Sequence, residues 1–339
     1  MKSNVIRKTL SALIALVIAA LALASCGTAG PSNPAGSSTA ASSAEENPAG
    51  AREHLKIGTL SGPTGMGMAK LFADEFYKED IELYTAPDAV RADLLTGKLD
   101  IAAVPANLAA VIFNKTEGEY LVAAINTLGV LYVVSRNPAV TSLQALSGIK
   151  LYATGQGSTP EYILNKVLSA SQINPSEIEY KTEHSELASL LLSGAVDTAL
   201  LPQPFVTTVT SKDSTLKAVI DLSEEWSKYC DGDAVQGVLV VSKKAVAEHK
   251  SSVDAFLDAY KESVDFVNGN HDEAGKLIAE AGIVASAELA AAAIPGCHIV
   301  FIDGAEMKSS LSGFLNALYE AAPASVGGKL PGDGLFYER

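Results

Sequence analysis

The sequence is poor in aromatic residues and cysteine, and it lacks the short motifs that mark common catalytic and cofactor sites. Only 6% of its 339 residues are aromatic, and three are cysteine. Gly62 to Gly67 has the spacing of a phosphate-binding loop, but Met68 stands where that loop requires lysine. No dinucleotide fingerprint, His-Glu-x-x-His zinc motif or Gly-x-Ser-x-Gly elbow occurs. We therefore expect no cofactor, no metal and no catalytic residue.

Positive charge is also scarce. The chain has 25 lysine and arginine residues against 39 aspartate and glutamate residues, for a formal net charge of −14. Such an acidic protein repels the phosphates of nucleic acids, so we exclude nucleic acid as a partner. Because 48% of the residues are apolar, the chain can bury substantial cores, and its length suffices for two domains.

The first 25 residues have the organisation of a bacterial signal peptide. Lys2, Arg7 and Lys8 precede an apolar run over 10–24, which is short for a membrane span of about 20 residues. The run ends in Leu-Ala-Ser before Cys26, the order of a lipobox, in which the cysteine is acylated and becomes the new N-terminus. The alternative is a plain signal peptide followed by an incidental cysteine.

Residues 27–53 are rich in alanine, serine, glycine and proline and show no apolar periodicity. This composition predicts a flexible tether over 26–53, anchored to lipid through Cys26. We expect an extracytoplasmic protein that is lipid-anchored to the bacterial cell membrane, with residues 1–25 removed.

From residue 54 onward, short apolar segments alternate with amphipathic helical patterns. The predicted strands are 55–60, 81–85, 101–105, 120–126, 130–135, 150–154, 178–182, 198–202, 216–222 and 237–242. This alternation predicts an α/β fold with largely parallel sheets. Residues 244–293 read as almost entirely helical, and a last helix is predicted over 305–321, with Asp303 near its N-cap.

The sequence repeats itself once. Residues 56–60 and 150–154 each precede a glycine-rich turn, and later segments correspond at a constant offset of 97, as 101–105 does with 198–202. We expect two similar α/β lobes facing each other across a central ligand cleft, with a helical C-terminal portion. Lobe one would be 54–133 plus 240–339 and lobe two 134–239, with crossovers near 131–135 and 237–242. The alternative is a chance likeness of two α/β units.

The predicted binding site lies beyond the carboxyl ends of the strands, where ligands of open α/β sheets bind. Glycines there let the backbone approach a ligand, while hydroxyls and the first amides of a helix suit a polar or anionic group. The candidates are Ser61, Gly62, Thr64, Gly65 and Met66 in the first turn, Gln156, Ser158 and Thr159 in the second, and Asn107, Gln203 and Trp226. The alternative for each hydroxyl is a helix cap.

Two runs carry a family resemblance: 56–67 (KIGTLSGPTGMG) and 199–205 (ALLPQPF). With 299–304 and 327–331, they resemble the solute-binding lipoproteins of ABC importers, of the nitrate/sulfonate/taurine and thiamine-precursor type. Over 54–339 this resemblance implies a type II periplasmic-binding-protein fold and capture of a small organic solute, sulfonate-like or a thiamine precursor, by lobe closure. It also implies delivery to an ABC permease, and we expect a monomer.

Two alternatives stand beside this interpretation. One is a pyrimidine-precursor biosynthetic enzyme on the same fold, against which the signal peptide argues. The other is a solute receptor that feeds a sensor.

Overall fold

The computed structural model describes residues 52–230 and 232–339, which lie in one compact unit. The strands are β1 (Ile57–Leu60), β2 (Ile81–Tyr84), β3 (Ile101–Pro105), β4 (Tyr120–Thr127), β5 (Leu131–Ser135), β6 (Lys150–Thr154), β7 (Glu177–Lys181), β8 (Thr198–Pro202), β9 (Lys217–Asp221), β10 (Gly237–Ser242) and β11 (Ile299–Ile302). The helices are α1 (Pro63–Met66), α2 (Ala69–Ala73), α3 (Pro87–Leu95), α4 (Ala106–Lys115), α5 (Thr159–Ser171), α6 (His184–Leu192), α7 (Phe205–Lys212), α8 (Leu222–Tyr229), α9 (Lys243–Gly269), α10 (His271–Glu280), α11 (Ala287–Ala293) and α12 (Gly304–Ala321).

The strands form two sheets with matching strand orders. The first sheet reads β2–β1–β3–β10–β4–β11 and the second β7–β6–β8–β5–β9. The first three strands of each sheet come from the two copies of the repeat and run parallel to one another. The predicted α/β class with two similar halves is therefore confirmed.

The expectation of largely parallel sheets is wrong, because both sheets are mixed. Strand β10 is antiparallel to β3 and β4, and strand β5 is antiparallel to β8 and β9. The strand that precedes each of them in the chain, β4 before β5 and β9 before β10, lies in the other sheet. The direction of β5 and β10 is therefore not set by a strand–helix–strand crossover within a single sheet.

The ten predicted strands correspond to β1–β10, with ends that differ by at most two residues. Strand β11 was not predicted; it has four residues and pairs at the sheet edge with β4. The predicted helical region is occupied by α9, α10 and α11, and Asp303 is the N-cap residue of α12. No helix in the described ranges combines the length and apolar character needed to cross a membrane.

The chain passes between the sheets twice. The first passage is 128–130, between β4 and β5, and the second runs from the end of α8 at Tyr229 to the start of β10 at Gly237. Strand β5 lies wholly in the second sheet and β10 wholly in the first. We propose that these two passages, rather than positions inside β5 and β10, separate the two lobes.

The largest apolar core joins the two sheets. It takes residues from α4 and α12 on the first sheet and from α5 and α8 on the second. Within this core the rings of Trp226 and Phe314 lie 5.4 Å apart. Two further cores lie under α9 and α10 on the first sheet and under α6 and α7 on the second. The two halves thus share a buried contact beside the carboxyl edges of their sheets.

Candidate ligand-binding site

The two copies of the repeat meet through a buried hydrogen bond. The hydroxyl of Thr159, the first residue of α5, donates to Oδ1 of Asn107 at 2.8 Å. Asn107, on the first turn of α4, uses its Nδ2 to donate to the carbonyl oxygen of Ser325. Since β3 leads into α4 and β6 precedes α5, the carboxyl edges of the two sheets face each other here. The structure therefore brings together two of the predicted site residues.

The first turn follows β1 and is tightly built. Ser61 is exposed, and its hydroxyl donates to the carbonyl oxygen of Tyr84 at 3.4 Å. Gly62 has a φ of +92°, which favours glycine. A Cβ on Gly65 would lie 2.5 Å from the carbonyl oxygen of Leu60. Thr64, in the same turn, is half-buried. The turn therefore depends on glycine for its shape.

Met66 points into the core and not toward the exposed edge. Its side chain is fully buried, with its sulfur 3.8 Å from the sulfur of Cys297. Burial raises the pKa of the Cys297 thiol, so this cysteine is an unreactive packing residue. In this conformation Met66 can offer a ligand only its backbone.

The second turn is occupied by a carboxylate of the chain itself. The amide of Gly157 donates to Oε2 of Glu161 at 2.6 Å, and the hydroxyl of Ser158 donates to the carbonyl oxygen of Gly155 at 2.7 Å. Gln156 is exposed at the tip. Sequence reasoning missed Glu161, although a glutamate in the first turn of a helix is a known signal for contact with free amides.

Gln203 lies between the two halves. Its Oε1 accepts hydrogen bonds from the amide and the hydroxyl of Thr207, which satisfies the first turn of α7. A Cβ on Gly296 would lie 2.6 Å from its Nε2, so the side chain contacts the segment before β11. The peptide bond between Gln203 and Pro204 is cis.

Residues 294–298, which we call the 294–298 segment, contact three parts of this region. Gly296 accepts a hydrogen bond from the hydroxyl of Tyr132 at 3.2 Å, and Cys297 contacts Met66. His298 holds the first passage: its Nδ1 is hydrogen-bonded to the carbonyl oxygen of Gly129, and its own carbonyl accepts from the amide of Leu128. Sequence reasoning did not find this role, because it depends on contacts far apart in the chain.

His184 stands at the carboxyl edge of the second sheet. Its Nδ1 lies 2.6 Å from the hydroxyl oxygen of Thr154, and its ring centroid lies 5.3 Å from that of Phe205. Burial lowers the pKa of His184, opposed by the nearby charge of Glu183. The imidazole is therefore neutral near pH 7 and can accept or donate one hydrogen bond at each nitrogen.

Trp226 is fully buried against Phe314 and belongs to the shared core in this conformation. Its indole N–H has no hydrogen-bond partner among the described residues, and the same is true of the Ser223 hydroxyl and of Oε1 of Gln236. A role for Trp226 in ligand binding stays a prediction. Within the described part of the chain, no group of three histidine, cysteine or acidic side chains is placed to hold a metal ion.

Two α/β sheets that meet at their carboxyl edges and are joined by two passages define a type II periplasmic-binding-protein fold. An ABC transporter protein from Parabacteroides distasonis shares this fold at 26% identity and a TM-score of 0.72, over 84% of this chain and 99% of that chain. The periplasmic aliphatic sulphonate binding protein SsuA from Escherichia coli is similar at 15% identity and a TM-score of 0.67, over 85% and 93%. The periplasmic nitrate-binding protein NrtA from Synechocystis PCC 6803 is similar at 12% identity and a TM-score of 0.56, over 80% and 83%.

The chain belongs to the family described as NMT1/THI5 like, whose model matches residues 72–274. No curated protein matches the sequence. The resemblance to solute-binding proteins of ABC importers that the sequence indicated is thereby confirmed, together with the fold class.

Proposed function

We propose that this protein captures a small organic solute between the facing edges of its two sheets and delivers it to an ABC permease. The observation that carries the proposal is the buried hydrogen bond between Asn107 and Thr159. It joins equivalent edges of the two halves of an internally repeated fold. Proteins that close around a ligand do so by moving two rigid bodies about a few linking residues. Opening at the two passages would break this hydrogen bond.

The relatives support the same activity. The family model covers most of the fold, and the similar structures include parts of ABC transporters and binding proteins for sulphonate and nitrate. We propose that the protein is not an enzyme, because those relatives bind solutes. Binding would then be stoichiometric, and no product would accumulate.

Closure can be tested with small-angle scattering and native mass spectrometry on the mature chain. We expect one solute molecule per chain from a small-molecule extract of rich growth medium, with a smaller radius of gyration when it is bound. Thr159→Val should increase the radius of gyration of the unliganded protein, because the closed form loses the hydrogen bond to Asn107. Thr210→Val is the matched control, since that hydroxyl donates to the carbonyl oxygens of Val206 and Thr207, both within α7. Turnover of the solute, or no bound mass, would contradict the proposal.

We also propose that the protein works outside the cytoplasm, attached to the membrane through lipid on Cys26. The signal peptide over 1–25, Cys26 and most of the predicted tether lie outside the described residues. Expression of Cys26→Ser in a bacterium should move the protein from the membrane fraction to the soluble fraction. An unchanged distribution, with no acyl mass on the wild-type N-terminus, would contradict lipid anchoring.

A further inference from the structure

We infer that the solute bears no net negative charge, in contrast to the sulphonate and nitrate that two of the similar structures bind. The inference rests on the proposed function and specifies its substrate class. It follows from three features of the site: the absence of basic side chains, the occupation of helix N-termini by the chain's own acceptors, and the neutral groups left without partners.

The segments that build the site contain no lysine or arginine. They are 57–68, 105–108, 126–132, 154–161, 202–207, 221–226, 234–238 and 294–298. Near His184, at the carboxyl end of β7, stands Lys181, which is paired with Glu179 at 2.7 Å. The next basic residues along α5 and α8 are Lys166 and Lys228, and each is paired with a carboxylate, at 3.4 Å from Glu320 and 2.7 Å from Glu225. An anion that leaves water for a closed cleft needs a positive charge or several free N–H groups to replace its hydration.

At or just before the start of each of three helices at the site, α4, α5 and α8, an amide is already bonded within the chain. The Glu161 carboxylate accepts from Gly157 before α5, and Oδ1 of Asp221 accepts from the amide of Ser223 at 2.7 Å at the start of α8. The first amide of α4, at Ala106, donates to the carbonyl oxygen of Gln236 at 3.1 Å. A bound anion would therefore meet two carboxylates at the places where helix N-termini usually attract negative charge.

The groups that remain are neutral. The Ser223 hydroxyl, the Trp226 indole N–H and Oε1 of Gln236 lack partners among the described residues. Gln236 lies in the second passage, and Ser223 and Trp226 lie on α8, the helix that leads into it. Ser223 also faces the first passage, since its Oγ lies 2.0 Å from where a Cβ on Gly129 would stand. A buried polar group without a partner costs about 1–3 kcal/mol, so each of these groups needs one from solute or water. A hydroxyl, an indole and an amide match the uncharged donors and acceptors of a neutral solute, and the neighbouring carboxylates favour a cationic one.

The test uses the mature chain, freed of co-purified solute by dialysis, and a small-molecule extract of rich growth medium. The extract is divided by ion exchange into anionic, cationic and unretained fractions, and the melting temperature is measured with each. Sodium nitrate and sodium methanesulfonate serve as defined anions. We expect the melting temperature to rise with the unretained or the cationic fraction and not to rise with the anionic fraction or either salt. A rise confined to the anionic fraction or the salts would overturn the inference. No rise with any fraction would overturn the proposed function and the inference with it.

A pair of variants tests the electrostatic reason. Glu161→Gln removes the carboxylate from the second turn, and Glu306→Gln removes one from the same position in the first turn of α12, outside the site. If the solute is cationic, we expect Glu161→Gln to weaken its binding by about fivefold. If the solute is neutral, we expect the same variant to improve the binding of an anionic analogue by about fivefold. Glu306→Gln should change neither. Equal effects of the two variants would show that only the overall charge matters and would overturn the role assigned to the site.

Discussion

The two copies of the repeat share a scaffold but differ where they face each other. Strands β1, β2 and β3 have the same order and direction as β6, β7 and β8, and α3 and α6 span equivalent residues. After the first strand, however, copy one continues into the four-residue helix α1, whereas copy two continues into the 13-residue helix α5.

The side chains at equivalent positions differ as well. The first residue of α3 is Pro87, and its counterpart in α6 is His184, which is bonded to Thr154. The turn of copy one is shaped by glycines against the backbone, while the turn of copy two is filled by Glu161. The repeat thus supplies two matching edges, and the chemical selectivity resides in the residues that the copies do not share.

The strongest test of this comparison addresses the core that both halves share. Trp226→Ala removes a fully buried ring from between α8 and α12, and we expect a loss of about 3–5 kcal/mol in the free energy of unfolding. Urea denaturation followed by far-ultraviolet circular dichroism measures it. Tyr229→Ala, on the same helix with a side chain that is 38% exposed, should stay within about 0.5 kcal/mol. A small loss for Trp226→Ala would mean that the halves are stabilised independently.

A second pair of substitutions separates the two turns. Gly65→Ala places a methyl group 2.5 Å from the backbone oxygen of Leu60, which cannot move aside without shifting β1, so we expect a loss of about 1–3 kcal/mol. Gly157→Ala meets open space but has a φ of +74°, and it should cost about 1 kcal/mol from that conformation alone. Thermal melts would compare them. A larger loss at Gly157 would reverse the distinction between a turn limited by space and one limited by conformation.

The scaffold was predictable from sequence because its signals are local. Apolar runs separated by glycine and proline predicted the ten strands β1–β10, and the offset of 97 indicated two similar halves. The direction of β5 and β10 was not predictable in that way, since it depends on which sheet each strand joins. Strand β11 was missed because its four residues follow a long helical region.

The site was only partly predictable, because its contacts join distant residues. Thr159 and Asn107 were each predicted as ligand contacts, yet in this conformation they bond to each other across 52 residues. Gln203 satisfies its own helix, and Trp226 is buried in the core. The 294–298 segment carries no motif, and its importance follows only from the contacts it makes with both halves.

The hydrogen bond across the two edges gives a smaller effect. Thr159→Val keeps the shape of the side chain and removes its hydroxyl, and we expect a loss of about 1 kcal/mol in stability. A double-mutant cycle with Asn107→Ala should give a coupling energy of similar size, because the two side chains bond directly. Urea titrations of the four proteins would measure it. Additive losses would mean that the bond contributes nothing to holding the edges together.

The smallest expected effect concerns the titration of His184, which copy one lacks. Burial lowers the pKa of this imidazole in the folded protein below the ordinary value of 6.5. As the pH falls below about 6.5, the unfolded chain therefore takes up a proton before the folded chain does, and the folded state loses stability. His184→Gln removes this proton uptake while keeping a group that can bond to Thr154. In urea titrations from about pH 8 to pH 5, the free energy of unfolding of the wild type should fall more than that of the variant. The two values should therefore converge or cross as the pH falls. A difference that stays constant with pH would mean that His184 is as accessible to protons when folded as when unfolded.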